Sequence, residues 1–292
     1  MTKKKTVLPE IVLPAFCLLF YLFLFFLDGV NLSADSQSYI DFTYGREPFY
    51  PLFLAFFRLL FGAGFYFKAV VFVQCLLWAV SMYALTKTVC EKVQGGVFSA
   101  CVLVFFQAAV VFLCRVVAAR HATYCNEICS EGIAIPLFTL LLTELSAYST
   151  DYKNSRLITS MFIGALLIST RKQMYIVVLI MGALYFFLWT ARKIPVKKML
   201  LAWGSVILAV FLAFGLDVLY NFSLRGTAMR HTSDSSAMVI TLFYSSGMED
   251  AEYLEDGGLR QLFTDIMTEA EEKGYTYKAA EGNCLDRVLF HI

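Results

Sequence analysis

Charge is scarce in this sequence: only 16% of its 292 residues are Asp, Glu, Lys or Arg, against roughly 25% in a soluble domain. That excludes an ordinary cytosolic globule. Paired cysteines are missing too. The eight cysteines stand at 17, 75, 90, 101, 114, 125, 129 and 284 without a CxxC pair or dense even spacing, which removes zinc ribbons and disulfide scaffolds. Cys125 and Cys129 would share a face if that stretch were helical, but His121, His231 and His291 add no metal set beside them. No GxxxxGK[ST], HExxH, GxSxG or GxGxxG occurs, so a nucleotide-driven pump or a soluble-type hydrolase finds no support.

What is present is apolar. Hydrophobic residues make up 59% and aromatics 16% of the chain, with 28 Phe and 16 Tyr, and the mean hydropathy is +0.67. Such a composition is at home in lipid, where a span takes about 20 apolar residues, or roughly 17 with snorkelling flanks. Ile11 to Leu27, Ala69 to Thr86, Val97 to Cys114, Met174 to Ala191 and Met199 to Leu216 are uncharged runs that reach this shorter length. Gly132 to Thr143 and Leu157 to Thr170 are uncharged but shorter still, and count as two further spans. Glu131 and Glu144 flank the first of these, so either one belongs at a membrane boundary or faces the bundle interior.

The expected fold is therefore an all-α polytopic membrane protein of about seven transmembrane helices. Lys3, Lys4 and Lys5 precede the first apolar run, which lacks a small-residue cleavage site and is read as a retained span. With the N-terminus inside, segments 1–10, 87–96, 147–156 and 192–198 hold 11 Lys and Arg, against 7 elsewhere in segment 1–220, in keeping with the positive-inside rule. Segments 28–68 and 115–131, the Arg171-Lys172-Gln173 turn and the tail from 221 then lie outside. Residues 1–220 carry a net +7 and form the transmembrane domain; residues 221–292 carry −6 and make an acidic, helix-rich C-terminal portion with an amphipathic stretch at Leu254 to Ala270. The sequence stops at Phe290-His291-Ile292 without an evident closing element, so a truncated portion and a last helix that ends there both stand. An acidic outer tail argues against nucleic acid as a partner.

The most informative stretch is Leu32 to Gly62. It places Asp35, Asp41, Arg46 and Glu47 just beyond the first span and then turns apolar. Pro51 to Phe61 is interrupted by Arg58 and too short to cross, and is expected to lie in the interface. A carboxylate-bearing loop pinned at the lipid surface suits a substrate with a polar head and a membrane-dissolved tail.

Asp35-Ser36-x-x-Tyr39, followed by Arg46-x-Pro48-x-Tyr50-Pro51-Leu52-Phe53-Leu54-Ala55 and Phe61-Gly62, resembles the first outer loop of the GT-C superfamily of membrane glycosyltransferases. Cys129-Ser130-Glu131-Gly132 and Ser169-Thr170-Arg171 extend the similarity loosely across segment 1–220. The resemblance implies a polyprenyl-phosphate-sugar-dependent enzyme of the dolichyl-phosphate-mannose mannosyltransferase type, acting at the outer face of the plasma membrane on a lipid, glycan or protein acceptor. Asp35 matches the family's base. A single displacement would invert the sugar while cations hold the leaving phosphate. Arg171, Arg46 and Lys172 are the candidates for that grip, with Glu131, His121 and the motif's Tyr39 as further substrate contacts. No organic cofactor and no protein metal site is expected, and whether a divalent ion assists stays open.

Blander roles compete at each position. Asp35 could simply cap a helix, Arg171 and Lys172 could snorkel, and Glu131 could serve the macrodipole of the helix that it starts. Asn31-Leu32-Ser33 and Asn221-Phe222-Ser223 match the glycosylation triplet and receive no role. Two other functions also remain. One is a transporter or flippase for an amphipathic anion, although no internal repeat or mid-membrane charge array supports it. The other is a GT-C-like scaffold without catalysis.

Overall fold

The computed structural model describes residues 11–43, 45–117, 122–228, 245–274 and 276, with the side chains of 114–117 excepted. The chain divides into two compact units, Met1–His231 and Thr232–Ile292. Among the described residues the only β contact is an isolated parallel bridge between Asn31 and Glu127; everything else regular is helical. The first unit holds α1 (Leu13–Asp28), α2 (Ser36–Ile40), α3 (Phe49–Phe61), α4 (Tyr66–Val93), α5 (Val97–Val117), α6 (Glu131–Asp151), α7 (Asn154–Ile168), a 3-10 turn (Lys172–Tyr175), α8 (Ile176–Thr190) and α9 (Val196–Arg225). In the second, a 3-10 turn (Met248–Tyr253) precedes the amphipathic α10 (Gly257–Glu272), whose N-cap Asp256 accepts from the amides of Gly258 and Leu259.

Among the described residues four helices are long and apolar enough to cross a membrane: Tyr66–Val93, Glu131–Asp151, Lys172–Thr190 (the 3-10 turn continuing into α8) and Val196–Arg225. Leu13–Asp28, Phe49–Phe61, Val97–Leu113 and Asn154–Ile168 are shorter apolar helices. At 1.5 Å per residue α4 and α9 reach about 42 and 45 Å, beyond a hydrocarbon core of roughly 30 Å, whereas α1 and α7 reach only about 24 and 22 Å. α4 is the hub, packed against α1, α3, α5 and α6; α7 joins α6 to α9, and α8 lies on α9. The α6 helix extends well past the uncharged run Gly132 to Thr143 because Glu144 is neutralised: Arg156 Nη1 on α7 donates to both of its carboxylate oxygens at 2.9 Å. α9 likewise continues past residue 220 to Arg225.

The tightest joint is between α4 and α6. Pro136 inside α6 has no N–H for the carbonyl of Gly132 four residues earlier. Trp78 Nε1 supplies the missing donor at 2.9 Å. Gln74, one turn before Trp78 on the same face of α4, lies so close that a Cβ on Gly132 would sit 2.5 Å from its Nε2. A side chain at 132 would have to displace the buried Gln74 amide.

Candidate functional site

Most of the residues singled out above collect at one end of the bundle, where α1 and α7 end and α4 and α6 begin. The segment 122–130 threads between these helix ends as irregular backbone, and side chains satisfy it. At the end of α1, Asn126 Nδ2 donates to the carbonyls of Leu24 at 3.1 Å and of the C-cap Gly29 at 2.8 Å, the second lying beyond the helix's own hydrogen bonds. Asp28 Oδ2 accepts from the amide of Thr123 at 3.1 Å and from its hydroxyl at 3.2 Å. Asn31 exchanges backbone bonds with Asn126 and Ile128 at 3.0 and 2.9 Å, and Ser36 Oγ donates to the carbonyl of Ile128 at 2.6 Å. Cys125 and Cys129 therefore lie in turns and do not share a helix face: the Thr123 hydroxyl and the Cys125 thiol are 3.1 Å apart, and that thiol donates to Asn126 Oδ1, also at 3.1 Å. Both glycosylation triplets use their Asn amides internally, Asn31 toward the carbonyl of Asp28 and Asn221 toward Asp217.

On this platform five of the residues singled out in the sequence come together. Arg46 Nη2 meets Asp35 Oδ1 at 2.5 Å, its Nε donates to Ser38 Oγ at 2.7 Å and its Nη1 to the Tyr39 hydroxyl at 3.2 Å. The guanidinium carbon stands 4.5 Å from the centre of the Tyr39 ring. The Tyr39 hydroxyl and Ser130 Oγ are 2.9 Å apart, Ser130 Oγ donates to Glu131 Oε2 at 3.3 Å, and Glu131 forms an ion pair with Arg171. One chain of ion pairs and hydrogen bonds thus runs Asp35, Arg46, Tyr39, Ser130, Glu131, Arg171, drawn from three segments that are remote in sequence.

Burial raises the pKa of the Tyr39 hydroxyl despite opposition from Ser130 and Arg46, so it stays a neutral donor. Burial would lower the pKa of Arg171, but the Glu131 carboxylate more than offsets this and the net direction is upward. Asp35 is the N-cap of α2 by position, yet its side chain caps nothing. It turns to Arg46 and leaves 58% of its side chain exposed, and neither of the two cavities described for the chain is lined by it.

Lys172 contributes through its backbone, whose amide donates to Glu47 Oε1 at 2.6 Å. Together with Phe49 N donating to Ser169 O at 2.9 Å, this fastens the start of α3 to the end of α7. His121 lies outside the described residues. Ser38, Ser130, Glu47 and Gln74 complete the site; Ser130 and Glu47 stand in the sequence only as parts of the stretches quoted above, without a role, and Ser38 and Gln74 are not noted there. The fully buried Gln74 accepts from the Tyr50 hydroxyl at 2.9 Å and donates to the carbonyls of Cys125 at 3.1 Å and Glu127 at 3.0 Å. An amide in the middle of the apolar run Ala69 to Thr86 is the signal available for it. At the far end of α9, Arg225 holds the first loop by donating to the Phe42 carbonyl.

Comparison with protein-family models, curated proteins and solved structures returns no match.

Proposed function

We propose that the chain is a polytopic membrane glycosyltransferase that moves a sugar from a polyprenyl-phosphate donor to an acceptor at the membrane face carrying the polar end of the bundle. The carrying observation is that Asp35, Arg46, Tyr39, Glu131 and Arg171 belong to one connected network. On this reading α1 and α4 to α9 are seven spans, α3 lies in the interface, the N-terminus is inside, and the network faces outward at the plasma membrane. Asp35 is the base: its exposed carboxylate is open to an acceptor hydroxyl or amine and takes the proton as that group attacks the anomeric carbon, inverting it. Arg46 and Arg171 stabilise the charge that develops on the leaving phosphate. Each guanidinium carries five donors, so a phosphate can bind while the carboxylate partners keep both side chains oriented.

The test is turnover by the purified full-length protein with a panel of polyprenyl-phosphate sugars and lipid, glycan and peptide acceptors. Consumption of a lipid-linked donor, with inversion at the anomeric carbon read by NMR, supports the assignment. Retention of configuration, or use of a soluble nucleotide sugar in place of every lipid-linked donor, contradicts it.

A further inference from the structure

We infer that the cavity between α3 and the turn at residues 40–42 binds one anionic membrane phospholipid, its phosphate on Arg58 and Tyr66 and a hydrocarbon chain against the apolar wall. The cavity has a volume of about 360 Å³, and Ile40, Phe42, Leu54 and Ala55 make apolar wall while Arg58 and Tyr66 bring polar groups. Its size falls within the roughly 300–1,000 Å³ of small-molecule sites, which pair mostly apolar walls with a few placed polar groups.

Three observations select the ligand. First, charge: Arg58 makes no ion pair or hydrogen bond with its side chain among the described residues, and the sequence from Pro48 to Cys90 contains no Asp or Glu. Asp41, within the 40–42 turn, accepts from Gln37 Nε2 at 2.8 Å and does not line the cavity. Second, surroundings: Phe56, Leu59, Leu60 and Phe61 flank Arg58 with exposed apolar side chains, so the anion that reaches it arrives through lipid, as at an interfacial helix with a basic residue. Third, separation: Tyr50 packs edge-on against Tyr39 with ring centres 5.0 Å apart, and Arg58 lies eight residues further along α3, about 12 Å at 1.5 Å per residue. Asp35, Arg46 and Arg171 do not line this cavity. A phosphate held by Arg58 is therefore a resident of the fold and distinct from any phosphate held by Arg46 or Arg171, so the inference stands independently of the proposed transfer reaction.

The experiment follows the thermal midpoint of the detergent-purified full chain during titration with phosphatidylglycerol, with phosphatidylcholine of the same acyl chains, with inorganic phosphate and with a polyprenyl phosphate. Phosphatidylglycerol is expected to raise the midpoint by mass action, while phosphatidylcholine and inorganic phosphate leave it unchanged. Arg58→Gln should require roughly tenfold more phosphatidylglycerol for the same shift, the loss of one charge-assisted hydrogen bond. Ala55→Phe, which fills the cavity and keeps the charge, should also lose the response. Equal shifts from the two phospholipids, no shift with phosphatidylglycerol, or an undiminished response in Arg58→Gln would overturn the site. A response confined to the polyprenyl phosphate would overturn the phospholipid and give the cavity to a carrier lipid.

Discussion

Substituting Gly132 by alanine should be among the costliest single-methyl changes in this protein. The added Cβ would lie 2.5, 2.6 and 2.8 Å from the three head atoms of Gln74, so the amide has to move. Because Gln74 is fully buried, it cannot move into solvent. Shifting the head strains its bonds to Tyr50, Cys125 and Glu127, at about 1 kcal/mol each for a hydrogen bond in a folded protein, and overpacking adds about 1–3 kcal/mol. The expected loss is roughly 4–6 kcal/mol, a large share of a total stability of about 5–15 kcal/mol. Gln74→Ala forfeits the same bonds but makes room for the methyl. Gly132→Ala in that background should then cost less than about 1 kcal/mol, giving a coupling energy of roughly 3–5 kcal/mol. Denaturant or thermal unfolding of the wild type, both single variants and the double variant measures it. Equal costs for Gly132→Ala in the two backgrounds would refute the close approach of α6 to α4.

Arg171→Met and Glu131→Gln should each cost about 2 kcal/mol, less than the roughly 3–5 kcal/mol of a fully buried pair because both side chains keep some solvent; in the double variant the costs should fall short of their sum by about 1–2 kcal/mol, read from unfolding midpoints. Trp78→Phe should cost about 2–3 kcal/mol by leaving the Gly132 carbonyl without its donor, on top of some lost volume. For Tyr39 the pKa is raised in the folded state, so its contribution is fully present below the ordinary value near pH 10 and is lost as pH rises through the folded value. Thermal midpoints should fall above about pH 10, and Tyr39→Phe should make that fall shallower.

Much of the helical framework is legible in the sequence because a charge inside lipid is expensive: uncharged runs locate α1, α4, α5, α8 and α9, and the short run with Arg58 locates α3. Charge counting falls short where a charge inside a helix finds a partner. It ends α6 near Thr143 because Glu144 interrupts the run, and nothing local announces that Arg156 twelve residues later will neutralise it. The motif residues Asp35, Tyr39 and Arg46 are legible as a group because they sit within one loop. Their connection through Ser130 to Glu131 and Arg171 is not, since it depends on the segment 122–130 being drawn against α1 by Asp28, Asn31 and Asn126. Each of those residues alone reads as an ordinary loop polar group. Their meaning lies in the helix-end carbonyls and amides that they satisfy.

The most direct test of the account is sugar transfer by Asp35→Asn beside wild type, under conditions where both are shown to be folded and inserted. Replacing a general base should cost at least about a hundredfold in rate, while the thermal midpoint changes little because Asp35 is largely exposed and a surface ion pair contributes only about 0–1 kcal/mol. That combination is the expected result. Transfer at near wild-type rate by a stable Asp35→Asn protein would contradict it.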